Sequence, residues 1–265
     1  MNPVKTTALV VGIALSGALC AAETAKPQAP AANTNAAPVA AEIDEAQAGF
    51  LYTPNKGPKI LVWDARTNSN ERVLRRFLGL NDPAKRGGPG LAVTTERTPL
   101  APKDCAFTAA CAKLGPKVSM VIAVVNGGVD KPRMSVFPED RVGIVNADRL
   151  PALLNEKLVI REIWRAIGFT GGTGFAPYRG CVMQPVYNEN EIAGLMGDVL
   201  QLMTLQPFRK FEDRFGMKRT QYVTYEIACY QGFAPEPTNA VQKIIWDEIK
   251  AELSKEPTKP IEIKK

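Results

Sequence analysis

Histidine is absent from all 265 residues. That absence excludes a Ser-His-Asp triad, a Cys-His nucleophile pair, a His-ligated catalytic zinc and a histidine pH switch, leaving carboxylate, lysine, tyrosine, thiol or backbone chemistry. There is no Cys-x-x-Cys pair to anchor a thiolate metal site, and no Asp-Thr-Gly or Asp-Ser-Gly loop of the kind pepsin-type proteases carry. Past the amino terminus no run is long and apolar enough to span a bilayer, so the chain is expected not to be transmembrane. No internal repeat is present.

The first 22 residues carry Lys5, an apolar run over 8–19 and small residues at Ala18, Ala21 and Ala22, the layout of a cleaved secretory signal. The expected location is therefore secreted or periplasmic. Lipid anchoring at Cys20 is the less favoured alternative, because the bulky Leu19 fits a lipoprotein cleavage site poorly. Residues 23–47 are rich in Ala, Pro, Thr and Asn and can bury too little apolar surface to offset the entropy of ordering, so they read as a linker. Residues 48–255 are long enough for a single domain, here expected as two lobes around a cleft near 161–183, and 256–265 is a flexible Pro- and Lys-rich tail.

Basic residues number 33 against 27 acidic ones, a formal charge of +6, and loss of the leader would remove only Lys5. The excess is spread over pairs such as Arg75-Arg76, Lys85-Arg86 and Lys218-Arg219 without interleaved aromatics. This reads as solvated surface, with no nucleic-acid partner but a mild attraction to acidic glycans. Four cysteines lie beyond the leader: Cys105, Cys111, Cys181 and Cys229. In an oxidising compartment an even count favours two disulfides. Three pairings are open; the preferred one joins Cys105 to Cys111 and Cys181 to Cys229, each bond contributing about 2 to 4 kcal/mol.

Residues 59–63 (Lys-Ile-Leu-Val-Trp) predict a buried strand, and 70–80 an amphipathic helix with Val73, Leu74, Phe77 and Leu78 on its apolar face and Asn68, Ser69 or Asn70 as its cap. Further strands are expected at 91–95, 118–125, 134–137 and 141–146, giving a mixed sheet of four or five strands. A helix over 155–167 follows, broken by the Gly-rich turn 170–174. Helices are also expected at 191–203, 208–215 and 239–253, the last capped by Thr238 or Asn239.

On the 155–167 helix, positions 161 and 165 lie one turn apart on one face. The run 161–171 (Arg-Glu-Ile-Trp-Arg-Ala-Ile-Gly-Phe-Thr-Gly) has the spacing of His-Glu-x-x-His-x-x-Gly-x-x-His, so it resembles the helix of metzincin zinc proteases. Arg161, Glu162, Arg165, Gly168 and Gly171 occupy its five positions; Glu162 and Gly168 match, and the three ligand positions do not. Cys181-Val-Met183 resembles the methionine turn of archaemetzincins, and 141–150 resembles the strand and connection leading into their active-site helix. The resemblance extends over 59–205 and is sharpest over 141–183. It implies a zincin-like α/β fold, a twisted mixed sheet with packed helices and a helical carboxyl-terminal lobe, with Arg161, Arg165, Gly171 and Met183 at the former metal position. The second, cysteine-bound zinc of archaemetzincins lacks its other thiols here.

Two guanidiniums one helical turn apart repel a divalent cation and stay charged at neutral pH, so no zinc and no other cofactor is expected. They have two possible uses. Either Arg161 and Arg165 pair with Glu162 and other carboxylates as an ionic staple, the preferred reading, or they present a forked cation to a carboxylate or sulfate of a glycan ligand. Residual hydrolysis would need two carboxylates, with Glu162, Asp64 and Asp148 as candidates. The expected function is thus a secreted metzincin-like protein without its zinc site, monomeric, binding extracellular protein or acidic glycoprotein. Whether it is an enzyme stays open, since two alternatives stand beside that one: a peptidase that cuts glycoproteins such as mucin through acidic residues, and an envelope scaffold.

Overall fold

The computed structural model describes residues 48–152, 155–177 and 180–254. The leader, Cys20, the 23–47 linker and the 256–265 tail lie outside the described residues. Five strands build the main sheet: β2 (Lys59–Asp64), β3 (Val93–Arg97), β4 (Val118–Val125), β5 (Met134–Phe137) and β6 (Val142–Asn146). Their order is β3-β2-β4-β6-β5, with β5 antiparallel to β6 and every other pairing parallel. β2 and β4 are nearly continuous apolar runs because both of their faces are covered, as parallel strands require. Ile60, Val62, Met120, Ile122 and Val124 face one core. The alternate residues Leu61, Trp63, Val121, Ala123 and Val125 face the other.

The first face is covered by α1 (Glu71–Asn81) and α3 (Asn155–Thr170). α1 starts where the Asn70 side chain accepts from the Arg72 amide at 3.0 Å, and it buries Val73, Leu74 and Phe77. It stops at Asp82, which is extended ahead of Pro83, a residue that disfavours helix in the position before it. The second face is covered by α2 (Ala106–Cys111), with Phe107 against Phe137 at 4.6 Å between ring centroids.

α3 is the central element: 12 of its 16 residues are buried, so it is enclosed on every side and not merely laid on the sheet. It runs three residues past the expected end at 167. Gly168 stays helical because a side chain there would meet the Met183 Sδ at 2.7 Å; packing, not a turn, demands the glycine. The helix ends at Thr170, and the chain turns away through Gly172, whose φ is +82°, with the Thr173 amide donating back to the Gly168 carbonyl at 2.8 Å.

The helix expected over 191–203 is replaced by a short α4 (Glu189–Ala193), irregular chain over 194–201, and α5 (Leu202–Phe215). Gly197 approaches Gly180 so closely that a Cβ would sit 2.0 Å from the Gly180 carbonyl oxygen, which fixes this stretch as extended contact backbone. α5 begins earlier than expected and carries Pro207 in its second turn, where the proline forgoes one backbone bond without ending the helix.

The helical carboxyl-terminal lobe is smaller than the sequence suggests. α5 belongs to the main core through Phe208 and Phe211. Only α6 (Tyr225–Tyr230) and α7 (Ala240–Leu253), with the antiparallel ribbon of β1 (Phe50–Tyr52) and β7 (Tyr222–Thr224), surround a separate small core of Ala48, Tyr225, Cys229, Ile245 and Ile249. Asn239 caps α7 by accepting from the Gln242 amide at 2.9 Å.

The disulfide expectation is corrected: Cys105, Cys111, Cys181 and Cys229 are all free thiols. Cys105 caps α2 and Cys111 closes it, so about 9 Å of helix rise separates them, beyond the reach of a disulfide. Cys181 lies in the main core and Cys229 in the small carboxyl-terminal one. Among the described residues no helix is long and apolar enough to cross a membrane.

Candidate functional site

α3 directs three charged side chains into the protein interior: Arg161 and Arg165 are each 2% exposed and Glu162 is 0% exposed. Arg161 finds acceptors at the end of α4 and just beyond it, and Arg165 in the irregular chain over 182–184. Arg161 donates from Nε to Asp198 Oδ1 at 2.7 Å, from Nη1 to the carbonyls of Ile192 and Ala193 at 2.5 and 3.0 Å, and from Nη2 to that of Leu195 at 2.5 Å. Arg165 donates from Nη1 to the carbonyls of Val182 and Gln184, both at 2.7 Å, and stacks 5.5 Å from the Phe169 ring.

Glu162 lies between two arginines, with Arg165 Nε 3.2 Å from its Oε1 and Arg133 Nε 3.4 Å from its Oε2. These are contacts between charges without well-aligned hydrogen bonds. Burial pushes the Glu162 carboxyl above its ordinary range and outweighs the pull of Arg133 and Arg165 in the other direction. Burial likewise lowers the Arg165 guanidinium, with Glu162 opposing. Arginine nonetheless keeps its charge near neutrality.

Met183 is fully buried beneath Gly168, and its amide donates to Cys181 Sγ at 3.4 Å. Gly171 donates to the Ile167 carbonyl at 2.9 Å and packs so tightly on Phe208 that a Cβ would be 2.1 Å from a ring atom. The 181–183 turn and the 161–171 segment thus pack directly against each other.

The three candidate carboxylates occupy separate settings. Asp64, at the end of β2, is fully buried and gripped by Arg66 through two bonds of 2.8 Å. Asp148 is exposed and accepts from Asn126 Nδ2 at 2.7 Å and the Gly128 amide at 2.9 Å, the work of a loop former. Among the described residues no hydrogen bond joins these two to each other or to Glu162, so no pair sharing one proton is assembled. Three residues that matter here were not singled out from the sequence. Arg66 carries a local signal, two positions after Asp64. Arg133 and Asp198 meet α3 across long stretches of chain, and nothing near them in sequence announces it.

The helix face that the metzincin pattern would give to ligands carries two guanidiniums and one carboxylate, and among the described residues no group of three His, Cys, Asp or Glu side chains could hold a metal. What the fold and site define is an α/β protein whose central helix buries an arginine and carboxylate network.

No family model and no curated protein matches the chain. Among solved structures it is similar to the archaemetzincin of Methanopyrus kandleri, at 15% identity and a TM-score of 0.45, over 61% of this chain and 99% of that one. It is also similar to the archaemetzincin of Archaeoglobus fulgidus, at 12% identity and a TM-score of 0.39, over 56% of this chain and 99% of that one. A zinc-dependent peptidase from Methanocorpusculum labreanum is similar at 16% identity and a TM-score of 0.35, over 56% of this chain and 98% of that one.

Proposed function

We propose that the chain is an exported binding protein on a metzincin-like frame, with an ionic staple where such frames hold zinc, and that its partner is an extracellular protein or acidic glycoprotein. One observation carries the reading: Arg161, Glu162 and Arg165 are buried and engaged with protein acceptors, so the helix that would do chemistry in a metalloprotease instead ties α3 to the chain over 182–198. The side chains at the pattern's ligand positions are neither open to substrate nor able to activate water. Function therefore falls to the surface, where the modest basic excess favours an acidic partner.

The test is to incubate the purified chain with casein and with a mucin, with and without EDTA or pepstatin. Fragments are followed by mass spectrometry and association by surface binding. The expected result is binding to mucin without cleavage, indifferent to EDTA. EDTA-sensitive cleavage would restore zinc chemistry and overturn the proposal. Pepstatin-sensitive cleavage would replace it with carboxylate hydrolysis, and absence of binding to either substrate would leave the scaffold reading in its place.

A further inference from the structure

On the sheet face opposite α3, a cavity of about 620 Å³ opens at the carboxyl ends of β2, β4 and β6. Its position follows from topology. The chain leaves β2 toward β3 on one side and leaves β4 toward β5 and β6 on the other, so the two connections diverge and leave a crevice between them. Open α/β sheets bind ligands at such a switch point, and the volume lies in the range of small-molecule sites.

The floor is apolar: Ala65 follows β2, Val125 ends β4 and Ile144 lies on β6. Its walls are fixed before any ligand arrives. The Leu100 amide donates to the Ala65 carbonyl at 2.8 Å, holding the 100–106 wall to the sheet. On the other side the buried Asn146 accepts from the Gly127 amide at 3.0 Å and donates to the Gly128 carbonyl at 2.7 Å, holding the loop after β4. Polar groups stand ready around the floor. The Thr67 and Ser135 hydroxyls line the cavity without a side-chain hydrogen bond among the described residues. Asp104 on one wall has no ion pair among the described residues, and Lys131 on the other has only a loose contact with Asp130 at 3.8 Å, both of those side chains being solvent-exposed.

We infer that this crevice is a binding site for a short apolar peptide in zwitterionic form, a di- or tripeptide. Its free ammonium faces Asp104, its carboxylate faces Lys131 and its side chains lie on Ala65, Val125 and Ile144. The opposite charges on facing walls select a ligand that carries both signs, and the apolar floor between them selects aliphatic side chains. The site is independent of the 161–165 network, and the inference stands or falls apart from the reading built on that network.

The probe is the dipeptide Leu-Leu, titrated calorimetrically into the purified chain and followed by methyl chemical shifts. Binding is expected, with shifts confined to methyls of Leu100, Val125 and Ile144 and their neighbours. N-acetylation or carboxyl amidation of the probe should each weaken it about tenfold, the scale of one lost charged hydrogen bond. Asp104→Asn should cancel the penalty of acetylation, and Lys131→Gln that of amidation. Ser135 pairs with Ile144 across β5 and β6, so Ser135→Trp should fill the crevice from its edge and abolish binding. The inference is overturned if Leu-Leu shifts none of those methyls in the unmodified chain, a readout that needs no variant to fold. It is equally overturned if N-acetyl-Leu-Leu-amide binds as tightly as Leu-Leu, or if a folded Ser135→Trp chain binds with unchanged affinity.

Discussion

Replacing Arg161 by Met keeps most of the apolar stem and removes the guanidinium, so it isolates what the charged fork contributes. Among the described residues the carbonyls of Ala193 and Leu195 lose their donor, whereas that of Ile192 still accepts from the Leu195 amide at 3.3 Å. At about 1 kcal/mol for each acceptor left unmet, near the low end for buried groups, these two carbonyls account for about 2 kcal/mol. The ion pair with Asp198 adds little. That carboxylate's side chain is 36% exposed and regains water when its partner goes, so about 0.5 kcal/mol is the fair figure. Relief of the desolvation cost of the arginine works the other way, but it cannot satisfy the carbonyls.

The expected loss is therefore about 2 to 3 kcal/mol, or roughly 4 to 12 °C in Tm for a chain of this size. Arg161→Lys keeps the charge but offers one nitrogen where the fork offers three, and should lose about half as much. Differential scanning calorimetry gives the shift, and amide hydrogen exchange locates it: exchange over 192–198 should accelerate in the Met variant while β4 stays protected. A Tm change smaller than about 2 °C, with unaltered exchange over 192–198, would mean that water serves those carbonyls as well as the guanidinium does, and the staple would be refuted.

Glu162 yields a prediction in pH. Its carboxyl lies above its unfolded range because of burial, so the native state holds the proton more tightly, and this contribution is fullest below the unfolded pKa and fades as pH rises through the folded one. Glu162→Gln should remove that component, and urea unfolding from pH 4 to 8 should show the variant gaining relative to the parent as pH rises; a relative loss would reverse the sign and refute the argument. Gly171→Ala drives a methyl into the Phe208 ring and should cost about 1 to 3 kcal/mol of overpacking, checked by denaturant midpoint; a neutral result would mean the ring is free to move. With four free thiols, a reductant should leave Tm unchanged, whereas a reductant-induced fall would reveal a disulfide. Cys105, exposed and lowered by hydrogen bonds from the Thr108 and Phe107 amides, should alkylate before Cys111 and Cys229, which burial raises.

The sheet was legible because its signal is local. Unbroken apolar runs at 59–63 and 118–125 mark strands covered on both faces, and the structure adds one residue to the first and none to the second. The cap regions could be read for the same reason, since a cap acts within three residues of itself, and among the alternatives left open the structure selects Asn70 and Asn239. Where the reading went astray, tertiary contact decided. The helix expected to end at 167 runs on through Gly168, which is a contact surface for Met183, and the apolar periodicity of 191–203 gives way to the close approach of Gly197 and Gly180. The disulfides were inferred from a count, and a count holds no information about which cysteines share a core. At the site, the spacing of Arg161, Glu162 and Arg165 could be read, but Arg133 and Asp198 come from chain 28 or more residues away and only the fold reveals them.

Why the interior tolerates two arginines on one helix becomes plain from what they touch. The chain over 181–201 has only the short helix α4, so many of its carbonyls lack the partner that a helix or ladder would supply. Arg161 and Arg165 provide those donors, reaching five carbonyls between them, and Glu162 lies between Arg165 and Arg133. Apolar residues on α3 would avoid the desolvation cost of the charges but would leave the carbonyls of Val182, Gln184, Ala193 and Leu195 without these donors, a loss of about 1 kcal/mol or more each. The arginines and the irregular segment therefore depend on each other. Substituting Arg161 and Arg165 together should loosen the whole 181–201 chain in one step, and should do so by less than the sum of the separate losses once the first substitution has already freed the segment.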